Sequence, residues 1–574
     1  MLSLNGQNRS VLVADFETTT DPLDCRVWAW ACVNLWNPDM PVIVDRDIES
    51  FARYVARDTR IVYFHNLAFD GSFIIDFLFR QGFAYTKDRR LTRGQFATLI
   101  SHEGKFYSIT VRWRNGKTTE FRDSLKKLPM SVKKIAEAFS LDISKGEIDY
   151  DLPRPKGWKI TPQERDYIER DVRIVAKALN LQINEGMVKL TVGADSLAQF
   201  RDIITPKTFD RLFPILPETM DNEIRKAYRG GFTYADERFR GKLVGTGRVY
   251  DVNSLYPSVM YDRVLPYGEP IFRDGLPEIS DEYPLMILSL TFTAQLKPGH
   301  IPCIQIKGSS FFNGAEYLTT IDDPVTLFCT NVDLDLWKEQ YDLDILSYNG
   351  GWLFHGISGV FCEYIDKWMA VKASSDGGLR TIAKLHLNSL YGKFATNPDV
   401  TGKIPIMEND AVRLVGGPKE TRPPVYTAMG VFITAYARDV TIRAAQKHYP
   451  MFLYADTDSL HMLDGDHSDL DIHPSRLGAW KHEYSFDGAL FLRAKAYTEH
   501  IPNSRRRVTR RWVDWSDMPL YGRFETHIAG LPDVVAHHVR FDDYRSGRVF
   551  EGKLVPKRVP GGIVLHDVGF TLKI

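Results

Sequence analysis

The sequence is poor in cysteine and has no excess of charge of either sign. Its five cysteines stand at positions 25, 32, 303, 329 and 362. Their spacing fits neither a zinc site nor a disulfide framework, and it favours a reducing compartment. Lysine plus arginine and aspartate plus glutamate both number 73, so a basic surface for nucleic acid has to be local. One candidate is the arginine-rich run at 505–511, which is equally well explained as a solvated charged loop.

The sequence also lacks an apolar segment at its N-terminus, internal repeats and low-complexity tracts. No apolar run reaches the length that spans a bilayer, so we expect no membrane partner and a cytoplasmic location. The 574 residues exceed one ordinary core, and 44% of them are apolar while 25% are charged. These values are typical of a globular protein with several domains.

Two aspartates separated by one residue are the most informative feature that is present. Asp456 and Asp458 lie between short apolar runs that predict strands, and extended residues at i and i+2 point to one face. Two adjacent carboxylates repel each other unless divalent cations neutralise them, and such ligands suit Mg²⁺ that also binds substrate phosphates. This arrangement is typical of nucleotidyl transfer. A solvated hairpin turn is the alternative interpretation.

Two further segments support a nucleotidyl-transfer site. Asp251 follows a short apolar run, and Pro257 ends that segment. Lys384, Asn388 and Tyr391 are spaced i, i+4 and i+7, so on a helix they share one face. A cation, an amide and an aromatic ring on one stripe can hold a triphosphate and stack on its base. The presence of all three segments in this order makes a plain hairpin turn a weaker explanation.

The first third of the chain carries a second set of acids. Asp15 and Glu17 end a predicted buried strand, with both side chains on one face. Asn66 and Asp70 stand one helical turn apart after another apolar run. Single acids at the ends of strands or helices are often only caps, which is the alternative for each residue alone.

A predicted helix adds a fourth acid and a phenol to this set. Residues 161–164 have the form of a capping box with proline at the first helical position. On the helix that they open, Tyr167 and Asp171 are spaced i and i+4, so they can meet one site. Four acids and a tyrosine from separate segments suit two metal ions and an oriented water for phosphodiester hydrolysis.

The three later segments resemble the motifs DxxSLYPS, KxxxNSxYG and YxDTDS of the family B DNA polymerases. The matching residues are Asp251, Ser254, Leu255, Tyr256, Lys384, Asn388, Tyr391, Gly392, Tyr454, Asp456 and Asp458. The chain looks most similar to the protein-primed phage branch, the phi twenty-nine type, from Asp15 to the C-terminus. The acids of the first third resemble the DEDDy set of the 3′–5′ exonucleases of proofreading polymerases.

The resemblance implies an α/β and α+β multidomain fold. An RNase H-like DEDDy exonuclease domain would precede a right-hand palm, fingers and thumb domain with two insertions. The predicted bounds are 1–191 for the exonuclease, 192–262 for the first part of the palm, 263–359 for the first insertion (the priming-protein region), 360–396 for the fingers, 397–426 for the second insertion (strand displacement and processivity), 427–527 for the second part of the palm and 528–574 for the thumb.

Local patterns predict some elements within these bounds. The fingers should be two antiparallel helices with a turn at 374–378. Residues 412–415 can form one arm of a hairpin, and alternating patterns around the turn at 560–562 suggest β-structure in the thumb. Thr434 and Arg438 lie on a helix-like run.

The resemblance also assigns roles in the polymerase site. It implies that Asp251, Asp456 and Asp458 are catalytic. Nucleotide-binding residues would be Val252, Ser254, Leu255, Tyr256, Lys372, Lys384, Asn388 and Tyr391. DNA-binding residues would be Tyr228, Gly230, Gly231, Thr434, Arg438, Lys495 and Tyr497. The paired glycines at 230–231 also allow close approach of a phosphate chain, although a structural turn explains them too.

Corresponding roles follow for the exonuclease site. Asp15, Glu17, Asp70, Asp171 and Tyr167 would be catalytic, with Lys145 as an auxiliary lysine. Single-stranded DNA would contact Thr18, His65, Asn66, Phe69, Ser124, Leu125 and Tyr150. Met130 stands where the family pattern predicts phenylalanine. Each site would hold two Mg²⁺ ions, with Mn²⁺ able to replace them. The expected metal ligands are Asp251, Val252, Asp458 and Glu483 in the polymerase site and Asp15, Glu17, Asp70 and Asp171 in the exonuclease site.

We therefore expect a replicative DNA-directed DNA polymerase with a 3′–5′ proofreading exonuclease that is protein-primed, processive and strand-displacing. Its partners would be template-primer DNA, deoxynucleoside triphosphates and a terminal priming protein, and the chain is expected to be a monomer. Two alternatives stay open: another palm nucleotidyltransferase, such as a reverse transcriptase, and a non-catalytic nucleic-acid-binding relic. The exonuclease set and Tyr256 argue against the first, and the complete set of acids argues against the second.

Overall fold

The structure is a computed structural model that describes residues 10–88, 90–150, 152–306, 316–502, 522–531, 533–536 and 539–572. The arginine-rich run at 505–511 lies outside these residues. Within these ranges, no helix is both long and apolar enough to cross a membrane.

The N-terminal region is built on a mixed sheet of eight strands. The strands are β1 (Ser10–Thr18), β2 (Val27–Asn34), β3 (Ile43–Asp45), β4 (Arg60–Phe64), β5 (Ala84–Tyr85), β6 (Gln95–Ile100), β7 (Phe106–Arg112) and β8 (Thr118–Asp123). The helices are α1 (Ile48–Val55), α2 (Leu67–Arg80), α3 (Val132–Ala138) and α4 (Pro162–Asn184). The strand order is β3-β2-β1-β4-β8-β7-β6-β5, and β1, β4 and β8 run parallel at its centre.

Local chemistry explains where α4 begins. The Thr161 hydroxyl accepts a hydrogen bond from the Glu164 N–H at 3.2 Å, and the Glu164 carboxylate accepts one from the Thr161 N–H at 2.9 Å. Pro162 occupies the first turn, where no hydrogen bond is lost. The predicted capping box is therefore confirmed, and it fixes the start of the helix that carries Tyr167 and Asp171.

Two mixed regions follow. Residues 192–262 form α5 (Val192–Ile204), α6 (Pro206–Leu212), α7 (Glu218–Lys226), β9 (Thr233–Ala235), β10 (Leu243–Val244), β11 (Gly247–Val252) and α8 (Leu255–Asp262). The next residues form β12 (Leu265–Arg273), β13 (Leu285–Leu296), β14 (Thr320–Thr330), α9 (Asn331–Gln340) and β15 (Tyr341–Ile357). Strands β12 to β15 make one sheet in the order β12-β15-β13-β14.

The middle of the chain contains three helices and a long hairpin. These are α10 (Cys362–Ser374), α11 (Gly377–Ser389), α12 (Tyr391–Phe394), β16 (Asp399–Glu408) and β17 (Ala411–Thr421). Helices α10 and α11 pack against each other across a two-residue turn, as predicted. Strands β16 and β17 pair in antiparallel register, which confirms the hairpin arm predicted at 412–415.

The last part of the chain completes the sheets. Its elements are α13 (Thr427–Lys447), β18 (Phe452–Asp456), β19 (Ser459–Leu463), β20 (Trp480–Phe486), β21 (Gly488–Arg493), β22 (Ala496–Pro502), β23 (Gly522–Ile528), α14 (Asp533–Ala536), β24 (Val549–Val559) and β25 (Gly562–Thr571). One sheet has the order β20-β11-β19-β18-β9, and another has the order β10-β21-β22-β23. Strands β24 and β25 form a terminal hairpin, which confirms the predicted β-structure near the C-terminus.

Three segments that are distant in sequence share one hydrophobic core. Val412 from β17 and Ile563 from β25 are buried with Phe73 of α2 in the core of the N-terminal region. The Gly561 N–H, in the turn of the terminal hairpin, donates to Asp76 of α2 at 3.3 Å. The two hairpins therefore meet on one face of the N-terminal region, and we call this contact the α2 junction.

Candidate active sites

Asp251, Asp456 and Asp458 meet at one end of the five-stranded sheet. Strand β11 pairs with β19 so that Asp251 lies opposite Ser459. Asp456 ends β18, and Thr457 has a left-handed φ of 64°. Asp458 therefore lies in the tight turn of the hairpin, and this turn, not an extended i, i+2 pair, brings the acids together. The predicted local geometry is corrected in this respect.

Burial and like charge disfavour ionisation of Asp251 and Asp458. The pKa of Asp251 is raised to about 7, first by burial and then by the charges of Asp458 and Glu483. Burial and the charge of Asp456 raise the pKa of Asp458. Such a site favours bound cations. Among the described residues no three acidic, histidine or cysteine side chains form a complete ligand set, so Mg²⁺ would also need oxygens from phosphate or water.

Asp456 is held from the side of β22. Its carboxylate lies 2.9 Å from the Lys495 ammonium, and it accepts a hydrogen bond from the Thr233 hydroxyl at 3.1 Å. The Tyr454 hydroxyl donates to Asp456 at 3.3 Å and accepts from the Lys495 N–H at 3.0 Å. Tyr497 is buried beside them, with its ring 4.8 Å from that of Tyr454. The structure therefore places Lys495 and Tyr497, which are both predicted to bind DNA, near Asp456.

Glu483 lies on β20, next to β11. The pairing of these strands puts Lys481 opposite Asp251, and Lys481 forms an ion pair with Glu483 at 2.7 Å. The predicted metal ligand thus stays within electrostatic range of Asp251 but has a cationic partner. Sequence reasoning missed Lys481, because a lysine five residues after Arg476 carries no distinguishing signal.

Two tyrosines and Lys372, whose charge lowers the pKa of Asp251, form a second group of the polymerase site. The rings of Tyr256 and Tyr391 stack at 3.9 Å and 12°. The Lys372 ammonium donates to the Ser254 hydroxyl at 3.1 Å, and its pKa is lowered by burial and by the charge of Lys384. These contacts bring the predicted nucleotide ligands of α8, α10 and α12 together.

The predicted stripe of Lys384, Asn388 and Tyr391 is only partly continuous. Lys384 and Asn388 are exposed on α11, which ends at Ser389, and Tyr391 begins α12. Leu390 between the two helices keeps helical dihedral angles, so the spacing of the three side chains is preserved.

Val252 and Leu255 form the floor beneath these groups. Both are buried, and the Val252 N–H donates to the Asp458 carbonyl at 2.8 Å. Val252 therefore joins β11 to the turn that carries Asp458, and because both side chains are buried, a contact with nucleotide would come from the backbone.

The paired glycines lie directly under the catalytic turn. A Cβ atom at Gly231 would come within 2.7 Å of Thr457 and 2.9 Å of the Tyr256 hydroxyl, whereas Gly230 faces open space. Close approach to the protein's own catalytic turn therefore requires glycine at 231, while Gly230 and the half-buried Tyr228 stay open toward a ligand.

Thr434 and Arg438 lie on α13, as predicted, but neither side chain is open to solvent. Arg438 forms an ion pair with Asp333 at 2.6 Å and donates to the Gly230 carbonyl at 2.9 Å. The Thr434 hydroxyl donates within its own helix. Their predicted part in DNA binding can therefore only be indirect, through the backbone at Gly230. Sequence reasoning missed Asp333, because nothing links it to Arg438 before the chain folds.

The second acidic set converges between β1, α2 and α4. The pKa of Asp15 is raised to about 7 by burial and by the charge of Asp171, and burial raises the pKa of Glu17 well above its ordinary value. One carboxylate oxygen each of Asp70 and Asp171 is buried and has no hydrogen-bond donor among the residues that the structure describes. Buried oxygens without donors fit a cation between these elements.

Lys145 and two tyrosines border these acids. The Lys145 ammonium lies 3.0 Å from Asp171 and 5.5 Å from the centre of the Tyr167 ring. The hydroxyls of Tyr150 and Tyr167 are hydrogen-bonded at 2.7 Å. The structure therefore brings all three predicted residues to the acidic set.

The predicted single-strand ligands line the approach to this set. His65 lies 3.0 Å from the Ser124 hydroxyl and 2.8 Å from the Met130 carbonyl, and burial lowers its pKa. The backbone of Met130 therefore orients His65 whatever the side chain at 130. Asn66 precedes α2 with a left-handed φ of 74°.

The remaining ligands lie on the same elements. Thr18 ends β1, Phe69 lies on the first turn of α2 with its ring 5.6 Å from that of Phe73, and Leu125 lies in a 3-10 turn whose N–H groups are capped by Asp123. All three are half-buried, so each side chain keeps an accessible part.

Comparisons with known proteins identify the family of the chain. The family model for DNA polymerase type B, organellar and viral, matches residues 52–154 and 152–476. The DNA polymerase of Bacillus phage phi29 is 44% identical, with 98% of this chain and 99% of that protein covered. The DNA polymerase of Streptococcus phage Cp-1 is 31% identical, with 97% and 98% covered.

A solved structure is similar over the same length. The phi29 DNA polymerase complexed with primer-template DNA and incoming nucleotide substrates superposes with a TM-score of 0.91 and 42% identity, covering 98% of this chain and all of that one. The predicted fold class, with exonuclease and polymerase domains, is thereby confirmed, while the domain bounds stay predictions. The chain belongs to the type B DNA polymerases of organelles and viruses.

Proposed function

We propose that this DNA polymerase joins nucleotides at Asp251 and Asp458 and removes mispaired ones at the separate site of Asp15, Glu17, Asp70 and Asp171. The observation that carries the proposal is the pairing of β11 with β19, which sets Asp251 beside the turn of Asp458. The stacked pair of Tyr256 and Tyr391 and the cation of Lys372 flank the same spot.

Each site would hold two divalent cations between its carboxylates and oxygens of phosphate or water. In the polymerase site the ligands would be Asp251, Asp458, the Val252 carbonyl and Glu483. The raised pKa of Asp251 fits this role because metal binding removes the repulsion that disfavours ionisation. Bound Mg²⁺ would lower the pKa of the primer 3′-hydroxyl and stabilise the departing pyrophosphate.

The chain's own groups position the reactants for in-line attack on the α-phosphate. Lys372 and Lys384 bind the triphosphate, Asn388 lies on the same face, and Tyr391 stacks with Tyr256 under the sugar. Lys495 and Tyr497 hold the primer strand beside Asp456. Base choice then depends on the fit of the template pair.

In the exonuclease site Tyr167 and Lys145 orient a water toward the terminal phosphodiester. Thr18, His65, Phe69, Ser124, Leu125 and Tyr150 hold the frayed strand. The distinct elements that carry the two sites imply that a primer end must travel between them, past Tyr228 and Gly230.

The partners and location follow from the type of relative. We infer a terminal priming protein that binds the sheet of β12 to β15, a monomeric enzyme and a host cytoplasmic location. The long hairpin β16–β17 would close a ring around template DNA at the α2 junction, which accounts for processive, strand-displacing synthesis.

The test is primer extension on a circular single-stranded template with Mg²⁺. Products much longer than one circle are expected, because a ring-shaped enzyme copies and displaces in one binding event. Products that stop at one circle would contradict displacement, and no incorporation would reject the polymerase site. Equal extension on an RNA template would favour a reverse transcriptase.

A further inference from the structure

The catalytic turn and the Lys495 turn belong to different sheets. Lys495 has a left-handed φ of 57° between β21 and β22, and its ammonium lies 2.9 and 3.2 Å from the two carboxylate oxygens of Asp456. Among the strands that the structure describes, β22 does not pair with β18, and the contacts of Lys495 with Tyr454 and Asp456 join the two turns.

A buried carboxyl group lies behind this contact. Glu499 on β22 is 0% exposed and His461 on β19 is 1% exposed. One Glu499 oxygen lies 2.7 Å from Nδ1 of His461, and the other accepts a hydrogen bond from the Tyr484 hydroxyl at 2.7 Å. Glu499 thus joins β22 to β19 and β20 of the catalytic sheet.

The His461 imidazole connects Glu499 to the aromatic residues around Asp456 and Lys495. Its ring lies 5.1 Å from that of Tyr454 and 5.0 Å from that of Tyr497. Tyr454 in turn contacts both Asp456 and Lys495. A change in the angle of His461 would therefore move the rings that support the primer-strand ligands.

Burial of the Glu499 carboxyl group is unfavourable in free energy. Removing it from water costs free energy, and an apolar side chain of similar volume is often neutral or stabilising at such positions. A polar group retained there is best explained by the geometry that it imposes.

We propose that Glu499, through His461 and Tyr484, is a positioning residue that holds the Lys495 turn against Asp456 and so sets the affinity for the primer terminus. The inference rests on the proposed roles of Lys495 and Asp456. It adds a residue that touches neither DNA nor nucleotide and that no sequence motif marks.

The test compares Glu499→Met with Glu499→Gln and with the control Thr498→Val. Thr498 is equally buried on the same strand, but it bonds to Thr526 on the far side, at 2.7 Å. Glu499→Met should raise the primer-template Kd and lower the single-turnover rate of incorporation about tenfold. The Kd for nucleotide and digestion of single strands should change little. Glu499→Gln keeps hydrogen-bonding atoms in place and should recover most of the loss, and Thr498→Val should lower only the Tm.

A purely structural role gives a different result. Misfolding would reduce the active fraction, seen as burst amplitude, and leave the rate and the primer-template Kd of the remaining enzyme unchanged. That outcome would overturn the proposal. If Glu499→Met does not fold, Tyr484→Phe removes a single hydrogen bond and should still raise the primer-template Kd about two- to threefold, and an unchanged Kd would overturn the proposal.

Lys495→Ala separates this inference from the function beneath it. If Lys495→Ala leaves primer affinity unchanged, the proposed role of the turn is wrong. If Lys495→Ala weakens primer binding but Glu499→Met does not, only the positioning role fails. When Glu499 acts through Lys495, adding Glu499→Met to Lys495→Ala should have little further effect.

Discussion

Asp458 and Asp15 belong to carboxylate sets on different elements, so substitutions should separate the two chemistries. Asp458→Ala removes a metal ligand, which should cost at least about 4 kcal/mol of transition-state stabilisation, roughly a thousandfold in rate. Primer extension should stop while 3′–5′ digestion of single strands continues.

The reciprocal variant is Asp15→Ala with Asp70→Ala. It should abolish digestion and leave extension near the parent rate. Both activities are measured on the same labelled primer, with and without template. Near-normal extension by Asp458→Ala would contradict the assignment of the polymerase site.

Tyr256 is expected to exclude ribonucleotides. Its ring stacks on Tyr391 beside Asp251, and its hydroxyl packs near Gly231, so it cannot move away from a ribose 2′-hydroxyl. Tyr256→Val should raise ribonucleotide incorporation by orders of magnitude with little change for deoxynucleotides. The ratio of the two kcat/KM values decides, and an unchanged ratio would leave the ring a packing residue.

The raised pKa of Asp15 predicts how stability depends on pH without metal. Between about pH 4 and 7 the folded protein holds a proton that the unfolded chain has lost, so stability falls as pH rises through this window. Asp15→Asn removes the charge. It should raise the Tm in EDTA at pH 8, by about 2 to 4 °C for each kcal/mol recovered, and change little at pH 5.

Asp274→Asn on an exposed loop is the control for this measurement. It should shift the Tm by the same small amount at both values of pH. An equal increase in Tm for Asp15→Asn at pH 5 and pH 8 would show that the pKa of Asp15 is not raised in the folded protein.

At this scale the sequence predicted the acids better than their partners. Spacing along one segment placed Asp15 with Glu17 and Tyr167 with Asp171. The pairs Glu499–His461 and Asp333–Arg438 could not be predicted, because their members lie on strands and helices that only the folded chain brings together.

Removal of the hairpin β16–β17 should reduce processivity and strand displacement without affecting nucleotide addition itself. Replacing about residues 400 to 420 with a short Gly-Ser linker should spare filling of a few nucleotides, because both sites lie elsewhere. Product length per binding event and synthesis through duplex should fall strongly. Extension under a heparin trap, on gapped and on nicked templates, measures both. Equal product lengths and intact displacement would leave the hairpin a plain surface element.

Elements were predictable where local chemistry alone determines them. The capping box at 161–164, the turn between α10 and α11 and the arm of β17 are of this kind. The stripe of Lys384, Asn388 and Tyr391 crosses the end of α11 at Ser389, but Leu390 keeps helical dihedral angles, so the predicted spacing is preserved. The sheet of β12 to β15 was not predicted, since its strands pair over long and irregular separations.

For the whole molecule, the fit of the terminal hairpin on the α2 junction should control processivity. A Cβ atom at Gly561 would lie 2.1 Å from the Cys25 carbonyl, so Gly561→Ala must push the hairpin away. Gly547 has a similar left-handed φ, 82° against 91°, but no atom of the described part of the chain lies within 4 Å of the position of an added Cβ. Gly561→Ala should shorten products under a trap several-fold more than Gly547→Ala does.

Single-nucleotide addition should be similar in the two glycine variants, because backbone strain is common to both. Trap-limited product length on a long single strand is the deciding measurement. Equal shortening by both substitutions would mean that strain alone acts and that the junction does not hold the ring closed. A second contact, between Arg80 of α2 and Asp410 at the tip of β16–β17 at 2.9 Å, is exposed and adds little by itself.

The shared core at the α2 junction also limits which segments can be exchanged between related polymerases. Val412, Val559, Ile563 and Val564 complete a buried core whose other members lie between Leu12 and Phe121. A recombination event that exchanged the N-terminal region between two relatives would pack the hairpins β16–β17 and β24–β25 of one parent against the N-terminal region of the other. Such a chimera would keep the contacts of a single parent only if about residues 399–421 and 549–571 came from the parent of its N-terminal region, so we expect substitutions in these three stretches to have coupled effects on stability.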